Sequence, residues 1–214
     1  MGIEEDKRAV AVAAAQQVAD GMVVGLGTGS TVAYLIPALS SRAVAATYVA
    51  TSPATEAAAG EAGLRVLAFE GVVSLDLAID GADQVAPSRW LVKGGGGAHT
   101  REKIVATAAD RFVVIVSANK LVDRLAPPVP LELLEFGIDS TLRRLAALGP
   151  VQRRPVPLSP DGGVIADLFA PVDNADALVA ELDAMAGVIA HGLFPPAMVD
   201  TVLVGRDGRA DELA

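Results

Sequence analysis

The sequence has no cysteine and little aromatic or imidazole chemistry. Its 214 residues include no Cys, 4% aromatic residues, and only His99 and His191 as imidazoles. The absence of Cys excludes disulfides, thiolate catalysis and zinc sites built on sulfur. We therefore expect no metal site, and carboxylate-bound magnesium is the one alternative left open.

Long apolar runs and basic patches are also missing. No run approaches the roughly 20 apolar residues that span a bilayer, and the chain begins with acidic residues at 4–6 rather than a basic stretch. We expect a cytoplasmic protein with no membrane partner. The formal net charge is -9, so nucleic acid is not expected as a partner. An anionic substrate would have to be held by local backbone amides and a few lysines.

The chain is rich in apolar residues, at 52%, and these form short runs that alternate with helical patterns. Helices are predicted at residues 4–18, 30–39, 55–62 and 100–109, and strands at 22–26, 47–50, 64–68, 75–79 and 112–117. This order predicts an α/β fold: a Rossmann-like, mostly parallel sheet with helices on both faces, spanning residues 1–127.

The order of predicted strands and helices changes after the prolines at 127, 128 and 130. Residues 128–198 read as strand, helix at 140–148, strand, strand, helix at 174–184, strand. That is the order of a ferredoxin-like α+β lobe. Residues 199–214 are expected to return to the first lobe.

Residues 25–31, GLGTGST, connect a predicted strand to a predicted helix. Glycines permit tight turns, and the amides at a helix amino terminus favour an anion. We interpret Thr28, Gly29, Ser30 and Thr31 as a phosphate site. The alternative is a plain connection with Ser30 as the helix cap. The segment lacks the third glycine of a dinucleotide fingerprint and the lysine of a nucleotide-triphosphate loop.

Asp80, Gly81, Ala82 and Asp83 follow an apolar strand. Open α/β sheets bind ligands at the carboxyl ends of their strands, so both carboxylates are candidate substrate contacts. The alternative is an Asp-Gly turn followed by a helix-capping Asp.

Lys93 precedes four consecutive glycines, of which Gly94, Gly95 and Gly96 are candidate substrate contacts. The lysine offers a cation, and the glycines offer a backbone that a ligand can approach closely. Four glycines are costly to order, which favours a ligand contact over a spacer.

Glu102, in the first turn of the next predicted helix, is our candidate base for moving a proton between neighbouring carbons. A helix amino terminus weakens a carboxylate as a base, so this role requires burial or a second carboxylate to oppose the effect. The alternative is that Glu102 only complements the helix dipole. Lys93 would stabilise the developing charge, and Asp80 and Asp83 would orient hydroxyls and assist ring opening.

Two further lysines are candidates for the phosphate. Lys120 follows the carboxyl end of the predicted strand at 112–117 and is preferred to Lys7. His99 is interpreted as a bystander, because a single loop histidine more often has no catalytic role.

Five segments in this order resemble ribose-5-phosphate isomerase of the A type. They are GLGTGST at 25–31, TSPATE at 51–56, DLAIDGADQV at 76–85, LVKGGGGAHTREKIVA at 91–106 and SANKLVD at 117–123. The resemblance implies interconversion of ribose 5-phosphate and ribulose 5-phosphate through an enediolate, in the pentose phosphate pathway, without metal or organic cofactor. It also implies Glu102 as the proton acceptor, the residues named above as the substrate site, and a homodimer.

Gly97 and His99 depart from the family pattern KGGGAALTREK but leave Lys93 and Glu102 in register. The second lobe diverges more, notably at residues 152–154 and 159–163.

Three other functions stay open at this point. A sugar-phosphate-sensing domain of a regulator would share the fold but lack the base. A related deaminase or lactonase would use a histidine as acid or base. A degenerate relative would bind the sugar phosphate without turnover.

Overall fold

The chain alternates strands and helices, and the computed structural model describes residues 2–213 of it. The helices are α1 (Ile3–Ala15), α2 (Val32–Ser40), α3 (Pro53–Glu61), α4 (His99–Thr107), α5 (Ile138–Leu145) and α6 (Ala175–Asp183). The strands are β1 (Val23–Leu26), β2 (Thr47–Ala50), β3 (Arg65–Val66), β4 (Leu77–Asp80), β5 (Gln84–Val85), β6 (Leu91–Val92), β7 (Phe112–Ser117), β8 (Val129–Leu133), β9 (Val151–Arg153), β10 (Val164–Leu168), β11 (Val188–His191), β12 (Leu193–Phe194), β13 (Thr201–Arg206) and β14 (Arg209–Glu212).

These elements divide between two compact units. The first comprises residues 2–82, 101–121 and 197–213, and the second comprises Asp83–Thr100 and Val122–Pro196. The lobe boundaries predicted at residues 127 and 198 stay predictions. No helix within residues 2–213 has the length and apolar character needed to cross a bilayer.

The first unit contains a seven-stranded sheet in the order β14-β13-β7-β4-β1-β2-β3. All neighbouring pairs are parallel except β13 with β14, so the prediction of a mostly parallel sheet is confirmed. The interior strand β7, which lies between β13 and β4, is buried along its whole length. Such a strand reads as a continuous apolar run, as FVVIVS does here.

Helices cover both faces of this sheet, as predicted. Val24 and Leu26 of β1 belong to a buried cluster with residues of α1, α2 and α3. Gly25 lies between them and faces the other side, where an added Cβ would overlap Val105 of α4. Because successive strand residues face opposite sides of a sheet, α4 lies on the opposite face from the other three helices.

The second unit contains a four-stranded antiparallel sheet in the order β11-β8-β10-β9. Along the chain these strands and α5 and α6 follow the order β8-α5-β9-β10-α6-β11, which is the predicted ferredoxin-like arrangement. Leu145 of α5 and Leu182 of α6 pack with sheet residues such as Leu131 in one buried cluster. A small three-stranded sheet, β12-β6-β5, completes this unit.

Candidate functional site

The first unit places four groups of predicted site residues on neighbouring elements. Residues 28–31 follow β1, Asp80 ends β4, Glu102 lies in α4, and Lys120 ends a 3₁₀ turn after β7. Strands β1 and β4 are parallel neighbours, with Leu26 paired to Ile79. The loop after β1 and the end of β4 therefore meet at one edge of the sheet.

Asp80 anchors the loop after β1. Its side chain is 3% exposed, and Oδ1 accepts hydrogen bonds from the amides of Thr28 at 3.1 Å and Gly81 at 2.7 Å. A Cβ at Gly27 would overlap the Asp80 carboxyl group, so only glycine allows this approach. Asp80 thus fixes the backbone of the loop, a role that the sequence did not reveal.

A network of hydroxyl groups holds the Thr28 side chain. Thr28 Oγ1 donates to Ser52 Oγ at 2.8 Å, Ser52 donates to Thr55 Oγ1 at 3.1 Å, and Thr55 donates to the Gly27 carbonyl at 3.0 Å. Thr51 Oγ1 lies 2.8 Å from Thr28 Oγ1. A hydroxyl has one proton, and that of Thr28 is used within this network. Thr28 therefore shapes the loop and has no further proton to donate.

The next three amides are in a different position. Within residues 2–213, the amides of Gly29, Ser30 and Thr31 donate to no protein group, and Gly29 and Ser30 are exposed. The predicted helix start at Ser30 is two residues early, since α2 begins at Val32. Gly29, with φ +131°, adds a turn before the helix. Successive amides at a helix start suit an anion such as a phosphate.

Glu102 is 5% exposed and lies in the first turn of α4. The burial that the role of a base requires is therefore present. Thr100 lies two residues before Glu102 in α4. Its hydroxyl donates to the carboxylate of Glu132 on β8, a residue that is 1% exposed. Lys120 is partly buried.

The second unit holds the other predicted site residues. Asp83 Oδ2 accepts a hydrogen bond from the Gly95 amide at 2.7 Å. Lys93 is 2% exposed, and its Nζ lies 5.5 Å from the centroid of the Phe194 ring. A desolvated ammonium over an aromatic face is stabilised by electrostatic attraction to the ring.

The loop that follows Lys93 has contacts that sequence reasoning missed. Arg154 donates to the carbonyls of Gly94 and Gly95 and is itself bound by Asp167. His99 is fully buried, and a Cβ at Gly94 would come within 2.7 Å of its Nδ1. His99 therefore packs against the loop. The paired arginines at 153 and 154 were visible in the sequence, but nothing in the pattern says which one approaches the glycines.

Lys7 forms an ion pair with Glu4 at 2.8 Å. Within residues 2–213, no group of three or more His, Asp or Glu side chains is arranged to hold a metal ion. Thr51, Ser52 and Thr55 lie in the segment TSPATE, which is the signal that could have identified them.

Comparison with known proteins gives a consistent result. The family model of ribose 5-phosphate isomerase A (phosphoriboisomerase A) matches residues 47–209. Ribose-5-phosphate isomerase A of Halobacterium salinarum is 44% identical over 212 residues, which cover 95% of this chain and 93% of the relative.

Solved structures agree with the sequence matches. Ribose 5-phosphate isomerase A from Methanocaldococcus jannaschii superimposes with a TM-score of 0.92 at 35% identity, over 99% of both chains. A D-ribose-5-phosphate isomerase in complex with phospho-erythronic acid has a TM-score of 0.93 at 33% identity, again over 99% of both chains. The resemblance seen in the five sequence segments is confirmed, and the chain belongs to the ribose 5-phosphate isomerase A family.

Proposed function

We propose that this chain interconverts D-ribose 5-phosphate and D-ribulose 5-phosphate in the pentose phosphate pathway. The observation that carries the proposal is the burial of Glu102, 5% exposed, in a chain of this family. A carboxylate removed from water is a stronger base than a solvated one, as abstraction of a proton from carbon requires.

The reaction moves one proton between adjacent carbons of the open-chain sugar. The C2–H bond breaks, the proton passes to the Glu102 carboxylate, and the electron pair forms the C1–C2 double bond of an enediolate with negative charge on O1. Glu102 then returns the proton to C1, and the proton of the O2 hydroxyl passes to O1, so that O1 becomes a hydroxyl and O2 becomes the ketone oxygen. Lys93 stabilises the negative oxygen, because a buried ammonium acts with little screening by water.

The other site residues bind and orient the substrate in this proposal. The amides of Gly29, Ser30 and Thr31, together with Lys120, hold the phosphate. Asp80 and Asp83 orient sugar hydroxyls and assist ring opening, and Gly81 and Ala82 line the site. Thr28 acts by shaping the phosphate loop, because its amide and hydroxyl are already used.

The proposal needs no metal and no organic cofactor. The homodimer that the resemblance implies and the cytoplasmic location stay predictions. Analytical ultracentrifugation of the purified chain would measure the oligomeric state.

The test is conversion of ribose 5-phosphate by the purified protein in excess chelator, with ribose as the unphosphorylated control. The same reaction in D₂O should place deuterium at C1 of ribulose 5-phosphate, because the base exchanges its proton with solvent. Turnover that resists chelation and requires the phosphate is the expected result. Binding of ribose 5-phosphate without conversion would contradict the proposal and favour a binding-only relative.

A further inference from the structure

The guanidinium of Arg154 forms a bidentate ion pair with the carboxylate of Asp167. Nε donates to Asp167 Oδ2 at 2.8 Å and Nη2 donates to Asp167 Oδ1 at 2.6 Å. The two side chains are only 17% and 18% exposed. Two parallel hydrogen bonds fix the plane of the guanidinium, which a single bond would not.

The third guanidinium nitrogen of Arg154 contacts the glycine loop. Arg154 Nη1 donates to the carbonyl oxygen of Gly94 at 2.9 Å and to that of Gly95 at 3.0 Å. Glycine has no side chain to restrict its backbone, and within the loop the Gly97 amide donates to the Gly94 carbonyl at 3.0 Å, which leaves the Gly95 carbonyl to be held by an external contact. Arg154 supplies such a contact to two consecutive peptide planes.

Fixing a carbonyl also fixes the amide that shares its peptide. The peptide is planar and trans, so its N–H points away from its C=O. The partner of the Gly94 carbonyl is the Gly95 amide, which donates to Asp83 Oδ2 at 2.7 Å. The partner of the Gly95 carbonyl is the Gly96 amide, which therefore points away from Arg154. Within residues 2–213 that amide donates to no protein group, and Gly96 is exposed.

We infer that Arg154 is a positioning residue for the isomerisation. Held by Asp167, it orients the Gly95–Gly96 peptide so that the Gly96 amide donates to the sugar oxygen that becomes negative in the enediolate. A donor whose direction is set before the reaction stabilises the developing charge without reorganisation. This inference rests on the proposed function.

The test compares Arg154→Ala and Arg154→Lys with Arg153→Ala, a matched control at the neighbouring, exposed arginine. We expect Arg154→Ala to lower kcat about 100-fold with a much smaller change in KM, because a misplaced donor acts mainly on the transition state. Lysine should restore little, since an ammonium cannot form the two parallel bonds to Asp167. Arg153→Ala should behave like the wild-type protein.

Chemical rescue separates positioning from general destabilisation. Methylguanidinium at concentrations that leave the protein folded should raise kcat of Arg154→Ala, and the same concentration of sodium chloride should not. A folded Arg154→Ala protein with the kcat of Arg153→Ala would overturn the inference. If Arg154→Ala does not fold, Asp167→Asn replaces it, and an unchanged kcat in that variant would overturn the inference equally.

A binding measurement keeps this inference separate from the proposed function. Phospho-erythronic acid carries a carboxylate, whose negative oxygen resembles the negative O1 of the enediolate. Its Kd, measured by calorimetry, should rise in Arg154→Ala but not in Arg153→Ala. A wild-type protein that fails to isomerise ribose 5-phosphate would contradict the proposed function, whereas equal Kd values for the two variants would contradict the role of Arg154.

Discussion

The loop at residues 27–31 and the loop at residues 94–97 are both rich in glycine, but different chemistry holds each of them. The first is fixed by neutral hydroxyls of Ser52 and Thr55 and by the carboxylate of Asp80. The second is fixed by charged side chains, with Arg154 on its carbonyls and Asp83 on one of its amides.

The difference follows from what each loop contains. The first loop carries Thr28, whose hydroxyl takes part in a short-range network with the next strand-to-helix connection. The second loop has no side chain between residues 94 and 97, so its conformation depends on groups that reach its backbone. A guanidinium has the length and the number of donors for this task. Loss of one hydroxyl should therefore weaken the first loop modestly. Loss of the single guanidinium should release the Gly95–Gly96 peptide of the second loop, whereas the Gly94–Gly95 peptide keeps its contact with Asp83.

The largest effect should come from a variant that alters neither loop. We expect Glu102→Gln to keep the fold and to lower kcat about 1,000-fold, because it preserves the shape but removes the base. Glu56→Gln is the matched control, since Glu56 lies in the first turn of α3 and is exposed. Steady-state kinetics and thermal unfolding measure both. Unchanged turnover of Glu102→Gln would remove Glu102 from the mechanism.

Gly27→Ala should break the first loop at its anchor. The added Cβ would overlap the Asp80 carboxyl group, so Asp80 must move away from the amides of Thr28 and Gly81. We expect a loss of about 1–3 kcal/mol in the free energy of unfolding and about a 10-fold to 100-fold fall in kcat/KM.

The control for Gly27→Ala is Gly60→Ala in α3, where a Cβ meets nothing within 4 Å. That variant should be stabilised by about 0.5–1 kcal/mol, because alanine loses less backbone entropy in a helix. Chemical denaturation gives both values. Equal stability and kcat/KM for the two variants would show that the contact with Asp80 is unimportant.

Thr55→Val should weaken the first loop without adding bulk. The hydroxyl of Thr55 is the donor to the Gly27 carbonyl, and its loss leaves that acceptor unpaired, at a cost of about 1–3 kcal/mol. KM for ribose 5-phosphate should rise more than kcat falls. Thr107→Val, at an exposed hydroxyl that donates to the Lys103 carbonyl within α4, is the control. A KM equal to that of the control would contradict a role of the hydroxyl network in shaping the proposed phosphate loop.

The smallest effect on stability at neutral pH should come from Tyr48→Phe, which lies on β2 and belongs to neither loop. Burial raises the pKa of the Tyr48 phenol above its ordinary value of 10.0. Because the folded-state pKa is raised, the contribution to stability is present below pH 10 and is lost as the pH rises through the folded value. The free energy of unfolding of the variant should therefore differ from that of the wild type by less than about 1 kcal/mol at pH 7. At about pH 11 the variant should be the more stable of the two. Melting curves at both pH values measure this, and parallel losses in both proteins would contradict it.

Local patterns in the sequence predicted most of the fold. The buried strand FVVIVS and the helix capped by Asn174, whose side chain accepts from the Ala177 amide, follow directly from apolar runs and capping chemistry. The two-residue strands Gln84–Val85 and Leu91–Val92 were not predicted. A strand of two residues has no periodicity, and only pairing with a partner identifies it.

The candidate site was predictable to the extent that its residues are contiguous. Glu102 and the glycine loops stand in compact motifs, so they could be proposed as site residues from the sequence. Arg154 lies 59 residues from the Gly95 carbonyl that it binds, and Thr28 lies 24 residues from Ser52. Such contacts depend on the order of the strands in a sheet, which local sequence patterns do not predict.

Gly25, the first glycine of the segment GLGTGST, has a different task from the glycines that follow it. Its missing side chain leaves the space that Val105 occupies, so it sets how deeply α4 is seated on the sheet. The helix seated in this way carries Glu102. In the proposed mechanism, the position of Glu102 relative to a substrate carbon thus depends in part on one absent methyl group, and a glycine inside the proposed phosphate loop influences proton transfer without contacting the phosphate.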